Sequence, residues 1–83
     1  MPEETARQIL KHLKKQGVTA RLGPNPRHVI FTTHKELPPL YAAANEIASK
    51  RGYIVEYGKT AGSHLFKIKT RKALLKQRLR GLE

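Results

Sequence analysis

GYIVEYGKTAGSHLFK (residues 52–67) can be read in two incompatible ways, and the choice between them decides the fold. Gly58-Lys59-Thr60 is the closing triplet of a phosphate-binding P-loop, in which a glycine-rich turn leaves a strand and the lysine opens a helix. That motif needs another glycine five positions before its last one. Position 53 is Tyr, and Gly52 stands one residue too early. The residues that follow, AGSHLFKIK (61–69), read as a second strand rather than a helix. The stretch is therefore a hairpin, YIVEY and SHLFKIK around a turn at 58–62. Without a helix start there is no cluster of free backbone amides to hold a phosphate.

Working outward, Leu40, Ala43, Ala44, Ile47 and Ala48 recur at helical spacing. Pro38 and Pro39 push the regular helix to a start near Pro39, Thr33 and Glu36 have the spacing of a capping box, and Gly52 stops the helix. Ala6, Ile9, Leu10 and Leu13 mark an earlier helix over 3–16. Glu3 and Glu4 sit at its positive end, Lys14 and Lys15 at its negative end, and Gly17 just beyond. VTARL (18–22) and RHVIFTT (27–33) are strands around the turn GPNP (23–26).

The two halves share their punctuation. KKQGVTARLGPNPRH (14–28) lies against SKRGYIVEYGKTAGSH (49–64), with Gly17 and Gly23 spaced as Gly52 and Gly58 are. A duplicated helix–strand–strand unit, 3–33 and 39–69, accounts for this; so does convergence of two ordinary units on the same turn chemistry. Either way the expected class is α+β, in the order α-β-β-α-β-β-α. The chain is one domain over 1–83, with two hairpins forming a four-stranded antiparallel sheet and helices mainly on one face. The other face is left free for a ligand unless the last helix, expected over 70–82, crosses it.

Composition narrows the function. Eighty-three residues, 39% of them hydrophobic, make a globular domain with too little core for a deep enzymatic cleft and its supporting shell. There is no cysteine, and His12, His28, His34 and His64 lack metal-ligand spacing, so neither metal nor cofactor is expected. No apolar run approaches the ~20 residues of a membrane span, and MPEETARQ is unlike a signal peptide. A cytoplasmic protein without a membrane partner is the expectation. Charge is the most informative feature: 17 Lys and Arg against 6 Asp and Glu give +11. Lysine-rich thermophilic proteins usually balance that charge with glutamate in ion-pair networks. This chain does not, and the excess points to a polyanionic partner, a nucleic acid before an acidic protein surface.

The hairpin also carries a resemblance. RGYIVEYGKTAGSHLFKI (51–68) resembles the core of the HicA-type toxins, small basic ribonucleases with a double-stranded-RNA-binding-like fold. Gly52-Tyr53, Gly62-Ser63-His64 and Phe66 carry it, over about residues 45–69. Glu56 stands where that family has a basic residue, and His28 in the first half has no Gly-Ser before it. The resemblance favours RNA or DNA as ligand and implies His64 as the catalytic histidine. Cleavage would also need a second acid, base or charge-stabilising group, for which Lys59 and Arg27 are the candidates. The other reading of His64 is a strand residue that packs and hydrogen-bonds beside Phe66 and Ile68.

The densest positive run is KIKTRKALLKQRLR (67–80), with Lys67, Lys69, Arg71, Lys72, Lys76, Arg78 and Arg80 and no acid. Lys72, Lys76 and Arg80 form one ridge beside a face of Leu74, Leu75, Leu79 and Leu82. Like charges at i,i+4 destabilise a helix by ~0.2–0.5 kcal/mol per pair, a cost that phosphate contacts would offset. Lys67 and Lys69 alternate with Phe66 and Ile68 and so point away from the core, while Arg27 and Lys59 sit at hairpin tips that could reach into a groove. Tyr53 and Tyr57 share one side of their strand, as core residues or as stacking platforms for bases. The expectation is a non-enzymatic protein that binds DNA or RNA mainly through phosphates, using Arg27, Lys59 and the cations of 67–80. A HicA-like ribonuclease using His64 and a regulator docking on an acidic protein are the alternatives.

Overall fold

In the computed structural model, which describes residues 2–70, the hairpin is β3 (Tyr53–Thr60) and β4 (Ser63–Thr70). Its turn is tighter than the expected 58–62. Gly58, Lys59 and Thr60 all belong to β3, and Thr60 lies opposite Ser63, leaving only Ala61 and Gly62 between the strands. Both have positive φ, 47° and 80°. This is the two-residue mirror-image turn, whose twist matches that of the strands it joins. Glycine ends a strand only when its conformation or a missing side chain demands it. Gly58 pairs with Leu65 in mid-ladder and carries the strand onward.

Ahead of the hairpin come α1 (Pro2–Lys15), β1 (Thr19–Leu22), β2 (His28–Thr32) and α2 (Leu37–Ser49). Gly17, at φ 77°, closes α1: its N–H donates to Lys14 O and the Val18 N–H to Leu13 O, the paired bonds of a glycine-capped helix end. The link between β1 and β2 is held by the Asn25 side chain, which accepts from the Arg27 N–H at 2.9 Å. The helix α2 starts earlier than its prolines suggested, because Pro38 and Pro39 occupy first-turn positions where no N–H is required. The capping box is not formed. Glu36 is the cap residue and makes no side-chain cap bond, while Thr33 Oγ1 accepts from the Lys35 N–H within its own loop. Of the helix expected over 70–82, Thr70 is instead the last residue of β4, and 71–82 lie outside the described residues.

The four strands form one antiparallel sheet in the order β1-β2-β4-β3. Each hairpin thus contributes an inner and an outer strand. Side chains alternate across a strand, so the register sorts the sheet into two faces. On one face run the rows Ala20–Phe31–His64–Lys59 and Leu22–Val29–Phe66–Tyr57, followed by Ile68–Val55 and Thr70–Tyr53. Both helices pack here. Ala6, Ile9 and Leu13 of α1 and Leu40, Ala44 and Ala48 of α2 close over Val29, Phe31, Val55, Phe66 and Ile68. The stripe of α1 is rotated slightly from expectation: Thr5 is buried and Leu10 is only half-buried. Phe31 and Phe66, ring centroids 4.6 Å apart, form the centre. Both α2 and β3 meet at Val55, whose carbonyl accepts from Tyr41 OH at 2.7 Å and whose N–H donates to Asn45 Oδ1 at 3.2 Å. No helix among the described residues is long and apolar enough to cross a membrane.

Candidate nucleic-acid interface

The other sheet face is turned away from α1 and α2. Its middle row is Arg21–Ile30–Leu65–Gly58 and the next is His28–Lys67–Glu56, with Lys69 opposite Ile54 beyond. Ile30 and Leu65 are buried although they lie outside the core formed with the helices. Gly23 permits this at one corner: a Cβ there would meet Ile30 Cδ1 at 3.1 Å. Toward one end of this apolar centre stand Arg21, His28, Glu56, Lys67 and Lys69 with Ile54, and toward the other the uncharged Thr19, Thr32, Thr60 and Ser63.

Lys67 and Lys69 stand on this face, as their alternation with Phe66 and Ile68 required. They are not free of acids. Glu56 on β3 reaches Lys69 Nζ at 2.8 Å and Lys67 Nζ at 4.0 Å. That corrects the reading of this run as unpaired, since the acid comes from the neighbouring strand and not from the run itself. The hydrogen bond from Lys69, with the charge of both lysines, holds the Glu56 carboxyl below its usual range against the opposing effect of burial. His28, directly opposite Lys67, titrates below its ordinary value because of burial and then the charges of Lys67 and Lys69. This face therefore already disfavours one more positive charge. A phosphate would relieve it.

The remaining predicted residues do not converge there. Arg27 follows the β1–β2 turn, but its Nε turns to Glu3 at the start of α1, 3.6 Å away. Lys59 lies on the helix-covered face, opposite His64. Arg71, Lys72, Lys76, Arg78 and Arg80 lie outside the described residues. Tyr53 and Tyr57 both pack against the core, so neither is a stacking platform on the face turned away from α1 and α2. The sequence reading passed over Arg21 and His28, whose place in the site follows only from the pairing of β2 with β1 and β4. The alternation of Arg21 with Ala20 and Leu22 was its one available signal.

His64 has a setting of its own. Its Nδ1 is 2.7 Å from Tyr57 OH, and its ring lies 5.3 Å from that of Phe31. Lys59 is its cross-strand partner, whereas Arg27, the other candidate helper, is two rows away beside Glu3. Tyr57 as a partner of His64 was missed, although residues at 57 and 64 share a face once the turn is known to be two residues long. Gly58-Lys59-Thr60 ends a strand and opens no helix, so the P-loop exclusion holds. No family model, curated protein or solved structure matches the chain.

Proposed function

We propose that this is a small nucleic-acid-binding protein, acting on DNA or RNA through phosphate contacts without catalysis. The contacts are assigned to the sheet face of Arg21, Lys67 and Lys69 and to the tail cations Arg71, Lys72, Lys76, Arg78 and Arg80. One observation carries this reading. Glu3, Glu4, Glu46 and Glu56 are each already in an ion pair, yet a surplus of cations, Arg7, Lys11, Lys14, Lys15, Arg21 and Lys59 among them, has no carboxylate partner among the described residues. A charge excess of this kind attracts polyanions and favours one as the partner. Titration of a labelled duplex at several salt concentrations tests it. With roughly five to seven phosphates contacted, log K falls linearly with log salt at a slope of about −4 to −6. No binding at low salt, or a slope near zero, rejects the reading and favours an acidic protein as the partner.

A HicA-like ribonuclease is the second reading, and the Tyr57–His64–Lys59 arrangement favours it. Tyr57 would orient the imidazole and Lys59 would offset developing negative charge. Metal-independent RNA cleavage that is abolished in His64→Ala and reduced in Lys59→Gln is the expected behaviour on this reading. Cleavage at background in the wild type, or cleavage that survives His64→Ala, removes it.

A further inference from the structure

The helical side of the molecule carries a second concentration of positive charge. Arg7, Lys11, Lys14 and Lys15 are exposed on α1 at spacing i, i+4, i+7, i+8, and none has a carboxylate partner among the described residues. The end of α2 brings Lys50 and Arg51 alongside. Between the two runs lies a groove of about 510 Å³ lined by Gln8, Lys11, His12, Lys15, Lys50 and Arg51, with Ile47 its one apolar contributor. No carboxylate lines it. The nearby acids Glu46 and Glu4 pair with Lys50 at 3.6 Å and Arg51 at 3.8 Å, both exposed, and such pairs exchange readily for a better anion.

Helix chemistry explains only part of this. Cations in a last turn are favoured by the helix dipole, which accounts for Lys14, Lys15 and Lys50. It does not account for Arg7 and Lys11 in the body of α1, where the pairs Arg7–Lys11 and Lys11–Lys15 repel at i,i+4. A four-residue step advances about 6 Å along a helix, so Arg7, Lys11 and Lys15 cover about 12 Å, a length over which one strand of a duplex presents about three to four phosphates. The side chains are long, flexible cations with Gln8 the one amide among them, a set suited to backbone phosphates more than to base edges. A single isoleucine and no aromatic anchor make it a poor membrane surface.

We propose that this groove is a second sugar-phosphate-binding surface, back to back with the sheet face turned away from α1 and α2, so that one molecule holds two nucleic-acid segments at once. It rests on the reading of the partner as nucleic acid. The sheet and a helix layer separate α1's outer side from Lys67 and Lys69, so no single phosphate touches both surfaces. The protein therefore bridges segments.

Donor-labelled and acceptor-labelled duplexes test this, in one DNA arm and one RNA arm, with phosphatidylserine-containing vesicles as a third probe. Wild-type protein brings the two duplexes together and produces energy transfer. Lys11→Gln/Lys15→Gln/Lys50→Gln keeps good helix formers, and the repulsion it removes offsets the lost dipole and Glu46 contacts, so its thermal unfolding stays within a few degrees of wild type. It still binds one duplex, loses the energy transfer, and has a salt slope flatter by about two to three, close to one for each phosphate no longer neutralised. Lys67→Gln/Lys69→Gln likewise binds one duplex without bridging. If the α1–α2 variant bridges as wild type does, bridging arises from self-association or one face alone, and the second surface is rejected while the nucleic-acid reading stands. If wild type binds neither duplex, or vesicles alone, the functional reading itself fails and this one falls with it. If the α1–α2 variant loses all binding and the sheet variant none, the groove is the sole site and the bridge is rejected.

Discussion

Glu56 tests the sheet face at the scale of a single residue. It is the one acid among Arg21, His28, Lys67 and Lys69, and it occupies both lysines. A merely structural role and a role in setting the face's charge predict opposite effects of Glu56→Gln. Removing the carboxylate frees both ammonium groups, so affinity for a duplex rises and the salt slope steepens by up to about one to two, one for each further phosphate neutralised. Unchanged or weaker binding places the interface elsewhere. The same variant has a stability signature. Because the folded carboxyl titrates below its ordinary 4.5, its contribution is present above that value and is lost as pH falls through the lower folded one. Glu56→Gln therefore removes that contribution at neutral pH, flattens the acid limb of a stability-versus-pH curve in that window, and leaves stability at still lower pH little changed. None of this pairing was legible locally. Glu56 and Lys69 meet because β3 and β4 pair in one register, and a turn placed one residue differently would put them on opposite faces.

At the scale of elements, the turn of β3 and β4 is where reading and structure part most usefully. The hairpin itself, the helix-ending glycines 17 and 52 and the two apolar helix stripes were legible, since each rests on local conformation or on a period that burial enforces. The turn was not, because Gly58 attracted a boundary that Ala61 and Gly62 actually make. Alanine is a poor residue for left-handed backbone, which costs an L-residue roughly 1–2 kcal/mol. Ala61→Gly is accordingly expected to raise the melting temperature by several degrees, at about 4–8 °C per kcal/mol for a domain of this size, less the added entropy of a glycine when unfolded. Gly62→Ala, with open space for its Cβ but φ at 80°, should lower it by a similar amount for conformational reasons alone. Equal melting temperatures for the three proteins would mean that the turn relaxes freely. The capping box failed for a related reason: Thr33 satisfies its own loop, and the prolines that follow remove the donors a cap would serve.

For the whole molecule, the net charge of +11 was legible from composition, but its distribution was not. The sequence drew attention to 67–80 because its cations are consecutive, whereas those of α1 and the end of α2 are far apart along the chain and meet only when the helices pack. The Arg7, Lys11, Lys14, Lys15 spacing carried the same signal as Lys72, Lys76 and Arg80. A second global property follows from the two bonds that α2 makes to Val55. Since β3 is an outer strand and the Val55 N–H and carbonyl both go to α2 side chains, neither is available to a strand from another molecule. Exposed strand borders template aggregation, and β1 limits the same hazard by being only four residues long. Tyr41 and Asn45 thus act as guards against intermolecular sheet growth. Tyr41→Phe/Asn45→Ala is expected to leave the monomer folded but less stable by ~1–3 kcal/mol for each unpaired backbone group, and to form thioflavin-positive assemblies on concentration that the wild type does not. A double variant that stays monomeric at the same concentration would show that β3 is protected by twist and charge instead.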